Sequence, residues 1–271
     1  MKLFLSLLLS VVLCSVPASA QDASPDAAML AAFEKELAEL NTAMATKGTL
    51  AQYSRRGDLN IFLMKIEEGV ADYEKMIELD PTQEGRHWRL GIAYYLAGEL
   101  EKAAKLFEKY YEHDDTDRET GLWHFLCNAG LHGVPTAQQK MLRYEKDARP
   151  PFVMLYELFA GRGTTEQFFR ALYDDGMSTK QDVMFYARLY SGIYEEVNER
   201  TENAVKFIRM AYESPWGRRA PSGPGYMWQI ARILATAPRE EEKPVEPAAA
   251  EKKPEAEKKA EDEKKPEAEK K

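Results

Sequence analysis

Apolar residues recur at three- and four-residue intervals through most of this chain, the spacing of helices that bury one face. Ser24-Pro25 opens a first helix with Phe33, Leu37, Leu40 and Met44 on one side. In RLGIAYYLAGELEKAAKLF, residues 89–107, Leu90 and Tyr94 lie one turn apart on one helix, and Ala103 and Phe107 one turn apart on the next. Gly98 stands between the two as a helix-ending turn residue. Further along, FVMLYELFAG at 152–161 predicts a short apolar helix. Thr164-x-x-Gln167 and Ser178-x-x-Gln181 read as capping boxes opening helices near 165–175 and 179–196. After the Gly/Pro-rich stretch SPWGRRAPSGPG, YMWQIARILATA at 226–237 predicts a closing helix.

Gly91 lies inside a helix, where glycine costs about 1 kcal/mol relative to alanine. Close approach of a second helix compensates: Gly91 and Ala103 leave room at a crossing that Leu90, Tyr94 and Phe107 fill around. The pattern is periodic. Moving back 34 residues sets Gly91 on Gly57, Leu100 on Ile66, Ala103 on Gly69 and Phe107 on Tyr73. Moving forward sets Ala103 on Ala137 and Phe107 on Met141. A fixed period of this length marks stacked helical hairpins, none of which can bury its apolar face without its neighbours.

These residues resemble the tetratricopeptide repeat (TPR), whose Leu-Gly, Tyr, turn Gly, Ala and aromatic positions are matched by Leu90, Gly91, Tyr94, Gly98, Ala103 and Phe107. The preceding unit, 53–81, is similar through Gly57, Tyr73 and Pro81, but carries Arg56 where Leu is usual and Met64 where the turn Gly is usual. A third unit keeps Ala137 and Met141 and replaces the Leu-Gly pair with His124 and Phe125. A fourth shows Gly192, Ala204, Ile208 and Ala211. The resemblance implies an all-α right-handed superhelix of about ten to eleven helices, without β-sheet, over residues 49–238, preceded by a helical segment at 21–48. It also implies a protein or peptide ligand in a concave groove lined by Arg55, Asp58, Trp88, Arg89 and Trp123. Tryptophan and arginine often dominate binding energy, yet Trp88 and Trp123 could equally pack against the N-terminal helix. The family's carboxylate clamp is missing, because its positions hold Ser54, Asp58, Arg89, Glu119 and Trp123.

The two ends read differently from the body. Lys2, the apolar run Leu3–Cys14 and Ala18-x-Ala20 describe a secretory signal peptide over 1–20, and hence an exported chain, periplasmic or secreted. Cys14 is not expected to carry a lipid, since Leu13 stands where a small residue is needed. No later segment has the roughly 20 apolar residues of a membrane span. Residues 239–271 hold EKKPEAEKK twice and a net charge of −2, a composition that cannot offset ordering entropy and is expected to form a disordered tail. The body's mild acidity argues against nucleic acid.

Candidate chemistry is thin. His124 and Cys127, at i and i+3, could share a face as a nucleophile pair or half a zinc site, but no second cysteine survives signal cleavage. Burial of Cys127 as a small hydrophobe is the plainer reading, with an intermolecular disulfide as the alternative. Asp114-Asp115 and Asp174-Asp175 fall at helix ends, and the GRG at 161–163 is too short to cradle a phosphate. The expectation is a non-catalytic adaptor without metal or cofactor. The alternatives are an envelope protein held by its Lys/Glu/Pro/Ala tail and an enzyme with its site in 143–178.

Overall fold

A computed structural model describes residues 25–218 and 225–237. The proposed signal peptide and tail lie outside the described residues. Chain contacts divide into two units, Met1–Ala237 and Pro238–Lys271.

Twelve α-helices and two 3-10 turns, with no strand, make up the regular structure among the described residues. The helices are α1 (Pro25–Ala43), α2 (Leu50–Phe62), α3 (Ile66–Leu79), α4 (Trp88–Leu96), α5 (Leu100–His113) and α6 (Arg118–His132). They continue as α7 (Val134–Gln139), α8 (Phe152–Phe159), α9 (Thr165–Asp174), α10 (Gln181–Val197), α11 (Thr201–Tyr212) and α12 (Tyr226–Thr236). Successive helices pair in sequence, α2 with α3, α4 with α5 and α10 with α11, and the pairs stack on their neighbours. This is an all-α helical-repeat solenoid. Among the described residues no helix is long and apolar enough to cross a membrane.

The hairpins share one packing device. A Cβ built on Gly91 would lie 2.5 Å from Cζ of Phe107, one on Gly57 2.5 Å from Cε1 of Tyr73, and one on Gly192 2.5 Å from Cγ1 of Ile208. In each case the opposed side chain is sixteen residues on and fully or almost fully buried. The missing side chain is thus the socket into which the second helix inserts its knob, and burial of that knob contributes roughly 2–3 kcal/mol. Leu90, Tyr94, Ala103 and Ala204 are buried around these crossings. Seven residues past each socket glycine the backbone turns left-handed, at Met64 (φ 62°), Gly98 (φ 77°) and Glu199 (φ 61°).

Two expectations need correction. Thr164 does cap α9 with the reciprocal Gln167 bond, but Ser178 caps nothing. It lies in the 3-10 turn Met177–Thr179, entered through left-handed Gly176, so α10 starts at Gln181 with extended Lys180 before it. The third hairpin is truncated: α7 has six residues, and Met141 lies beyond its end although Ala137 is buried. Among the described residues eleven of the twelve helices have eight residues or more, in keeping with the ten to eleven expected.

Candidate inner-face cleft

The five residues expected to line a groove are all engaged within the chain. Arg55 reaches back to α1, where its Nε and Nη2 donate to Glu36 at 2.7 and 2.6 Å. Asp58 accepts from the Tyr73 hydroxyl at 2.6 Å and from Arg89 at 3.0 Å. Burial nevertheless raises the Asp58 pKa above the usual carboxylate value, outweighing Arg89 and Tyr73. Trp88 meets Tyr226 of α12 edge-on with centroids 5.2 Å apart, and the Arg89 guanidinium lies 5.4 and 5.6 Å from these two rings.

Trp123 is core, only 2% exposed. Tyr95 packs edge-on against it at 5.4 Å, and its indole N–H donates to the Tyr190 hydroxyl at 3.0 Å. The reason is topological. After the third hairpin the chain runs through α8 and α9 and returns as α10, which packs on both α6 and α8. The helix that would have presented Trp123 outward is covered by that return. In the same way α12 packs on α2 and brings Tyr226 over Trp88 and Phe62.

Besides a larger cleft of about 420 Å³ between Glu74, Tyr94 and Lys109, one of about 330 Å³ lies where α6, α8 and α10 converge. Glu119, one turn before Trp123, contributes its carboxyl, Phe152 and Val183 form buried wall, Tyr186 is half-buried, and Arg149, Lys180 and Asp182 complete the lining. The Tyr190 hydroxyl donates to Glu119 Oε1 at 2.6 Å, so a hydrogen-bonded chain leads from Trp123 through Tyr190 into the cleft. Burial pushes the Glu119 carboxyl up to about 7; the Tyr190 hydrogen bond opposes this, and Asp117 adds repulsion. Arg149 does not make an ion pair with Glu119. Its Nη2 donates to Asp117 at 2.7 Å and Asp147 at 2.9 Å, its Nε donates to Asp147 at 2.9 Å, and its guanidinium stands 5.0 Å from the Phe152 ring centroid.

Of these residues only Glu119 was singled out from the sequence, and only as a departure from a clamp. The others sit in or after the non-repeat middle. Nothing in their spacing signals a site, because the return of α10 is what brings them to α6.

The catalytic candidates are placed elsewhere. Cys127 is a free thiol with no exposed surface, and burial pushes its pKa far up. Burial also lowers the pKa of His124, whose Nε2 lies 3.2 Å from Glu108 and 3.1 Å from Asn128. Among the described residues no group of three His, Cys, Asp or Glu could hold a metal ion.

No family model matches the chain. Over 119 residues, 41% of its length, the chain is 24% identical to TPR repeat-containing protein MJ1428 of Methanocaldococcus jannaschii. The match spans 21% of that protein. Together with the stacked hairpins and their glycine sockets, it gives a chain that is similar to a TPR protein over part of its length.

Proposed function

We propose that this protein is a non-catalytic repeat scaffold that binds another protein through the cleft at α6, α8 and α10, and that it is exported to the cell envelope. The observation that carries the binding reading is the cleft itself. It combines an aromatic wall, Phe152 and Tyr186, with ionisable groups at floor and rim, on a helix face otherwise covered by the chain's own return. Aromatic anchors ringed by polar groups are the usual make-up of a protein-binding site. The inert, buried thiol of Cys127 removes the strongest nucleophile candidate. The name of the similar archaeal protein supports the scaffold reading, and the signal-like residues 1–20 support the location.

Crosslinking of the full chain in its native envelope tests this, beside a Lys180→Ala/Tyr186→Ala variant and a control changed at exposed Tyr173 of α9. The expected result is a small set of captured proteins that the control retains and the cleft variant loses. Capture of nothing, or a set unchanged in the cleft variant, overturns the reading. Fractionation that leaves the chain in the cytosol overturns the location.

A further inference from the structure

Glu119 is a carboxyl with a hydroxyl partner but no ion pair, and Arg149 acts on it only from a distance, lowering its pKa. Among the described residues no lysine, arginine or histidine nitrogen lies within ion-pair distance of it. Arg149, the nearest candidate, is divided between Asp117 and Asp147. Arg118 of the same helix turns its guanidinium to the backbone carbonyls of Asp147 and Tyr144. Lys180 and Asp182 stand on the exposed rim where α10 begins, and the Tyr186 and Tyr190 hydroxyls are neutral. Glu119, Asp117, Asp147 and Asp182 thus supply four carboxylates against the three cations Arg118, Arg149 and Lys180. Phe152 already takes one guanidinium on its face, from Arg149, and Tyr186 lies beside it with centroids 5.2 Å apart.

We infer that this cleft receives a cationic side chain, arginine or lysine, projected by a partner protein, with its charge set against Glu119 and its stem against Phe152 and Tyr186. The inference rests on the partner-binding reading above and names the chemistry the partner must bring. A half-buried carboxylate costs free energy until a counter-charge joins it, and an aromatic wall adds cation–π attraction and covers the aliphatic stem. An acidic ligand would meet Glu119 and Asp182 and would have to displace Arg149 from two carboxylates.

Binding then depends on pH. Glu119 titrates near pH 7 in the free protein, and the incoming cation selects its ionised form. Only about a tenth of the free protein is ionised there at pH 6, against about nine-tenths at pH 8, so affinity rises about tenfold over that interval, with proton release.

The test is calorimetric titration of the full chain with acetyl-Gly-Arg-Gly-amide, and with acetyl-Gly-Glu-Gly-amide as counter-probe, at both pH values. The arginine probe is expected to bind at millimolar concentration or tighter, about tenfold better at the higher pH. E119Q should weaken it and abolish the pH dependence, while Tyr186→Ala should weaken it and keep the pH dependence. Circular dichroism verifies that both variants remain helical. The inference is overturned if the arginine probe fails to bind at millimolar concentration, if the glutamate probe binds as well, or if E119Q behaves as the native chain. Should crosslinking give partners that depend on the cleft while the arginine probe fails, the inference falls and the scaffold reading stands. Should the arginine probe bind while crosslinking captures nothing, the scaffold reading falls and takes the partner protein with it, while the cleft's preference for a cation stands.

Discussion

A side chain in the left-handed region costs roughly 1–2 kcal/mol, and three hairpins put a different residue at that one place in their turns. Gly98 adopts φ 77° freely, whereas Met64 and Glu199 adopt φ 62° and 61° against their own Cβ atoms. Glu199 is exposed, so Glu199→Gly should raise stability by about 0.5–1 kcal/mol after the entropy of the more flexible unfolded chain is counted, and Gly98→Ala should lower it by about 1 kcal/mol. Thermal melts read both. Glu119 makes a second residue-scale prediction. Its folded pKa, about 7, lies above the ordinary 4.5, so between those values the folded state binds more protons than the unfolded one and stability falls as pH rises. The loss is up to roughly 3 kcal/mol before allowance for the part of the carboxyl that water reaches. E119Q should flatten that segment of the stability–pH curve and be the more stable protein at neutral pH, as urea titrations would show. Cys127 should resist alkylation in the native protein and react promptly in denaturant.

At the scale of elements, the hairpins were legible because their signal is local. Gly91 and Ala103 were expected to leave room at one crossing with Phe107 around it, and the structure seats Phe107 itself against Gly91. Gly91→Ala should therefore destabilise by about 1–3 kcal/mol despite alanine's better helix propensity. Adding Phe107→Leu should recover part of the loss, giving a coupling above about 0.5 kcal/mol in a double-mutant cycle. The start of α10 was misread because a capping box is only a pair of residue types. Thr164 and Gln167 bond reciprocally, whereas Ser178 is drawn into a 3-10 turn by the left-handed Gly176 before it. The truncated α7 left no signal beyond the loss of the Leu-Gly pair at His124 and Phe125.

On the scale of the whole molecule, contacts far apart in sequence decide what is groove and what is core, and no window of sequence reports them. Asp26 of α1 accepts from Tyr212 and faces Arg218 at 3.2 Å. Gln229 reaches Met29 at 3.3 Å, and Arg232 donates to the Phe62 carbonyl. Trp228 is 5% exposed and donates to the Tyr212 carbonyl at 2.9 Å. Trp228→Ala should cost about 3–5 kcal/mol and be felt at α1 as well as at α12, so that hydrogen exchange quickens at both ends together. The same holds at the expected groove: Trp88 was weighed between the groove and packing on the N-terminal helix, and it is α12 that supplies Tyr226 against it and Arg89.

The late arrival of α12 also bears on how the chain is born. Synthesis proceeds from the N-terminus, and Phe33, Phe62 and Trp88 emerge long before Tyr226, which covers Phe62 and Trp88. At ordinary elongation rates these intervals run from roughly seven to forty seconds. A nascent chain halted before Tyr226 should display this aromatic edge to chaperones, and a chain released past Thr236 should not.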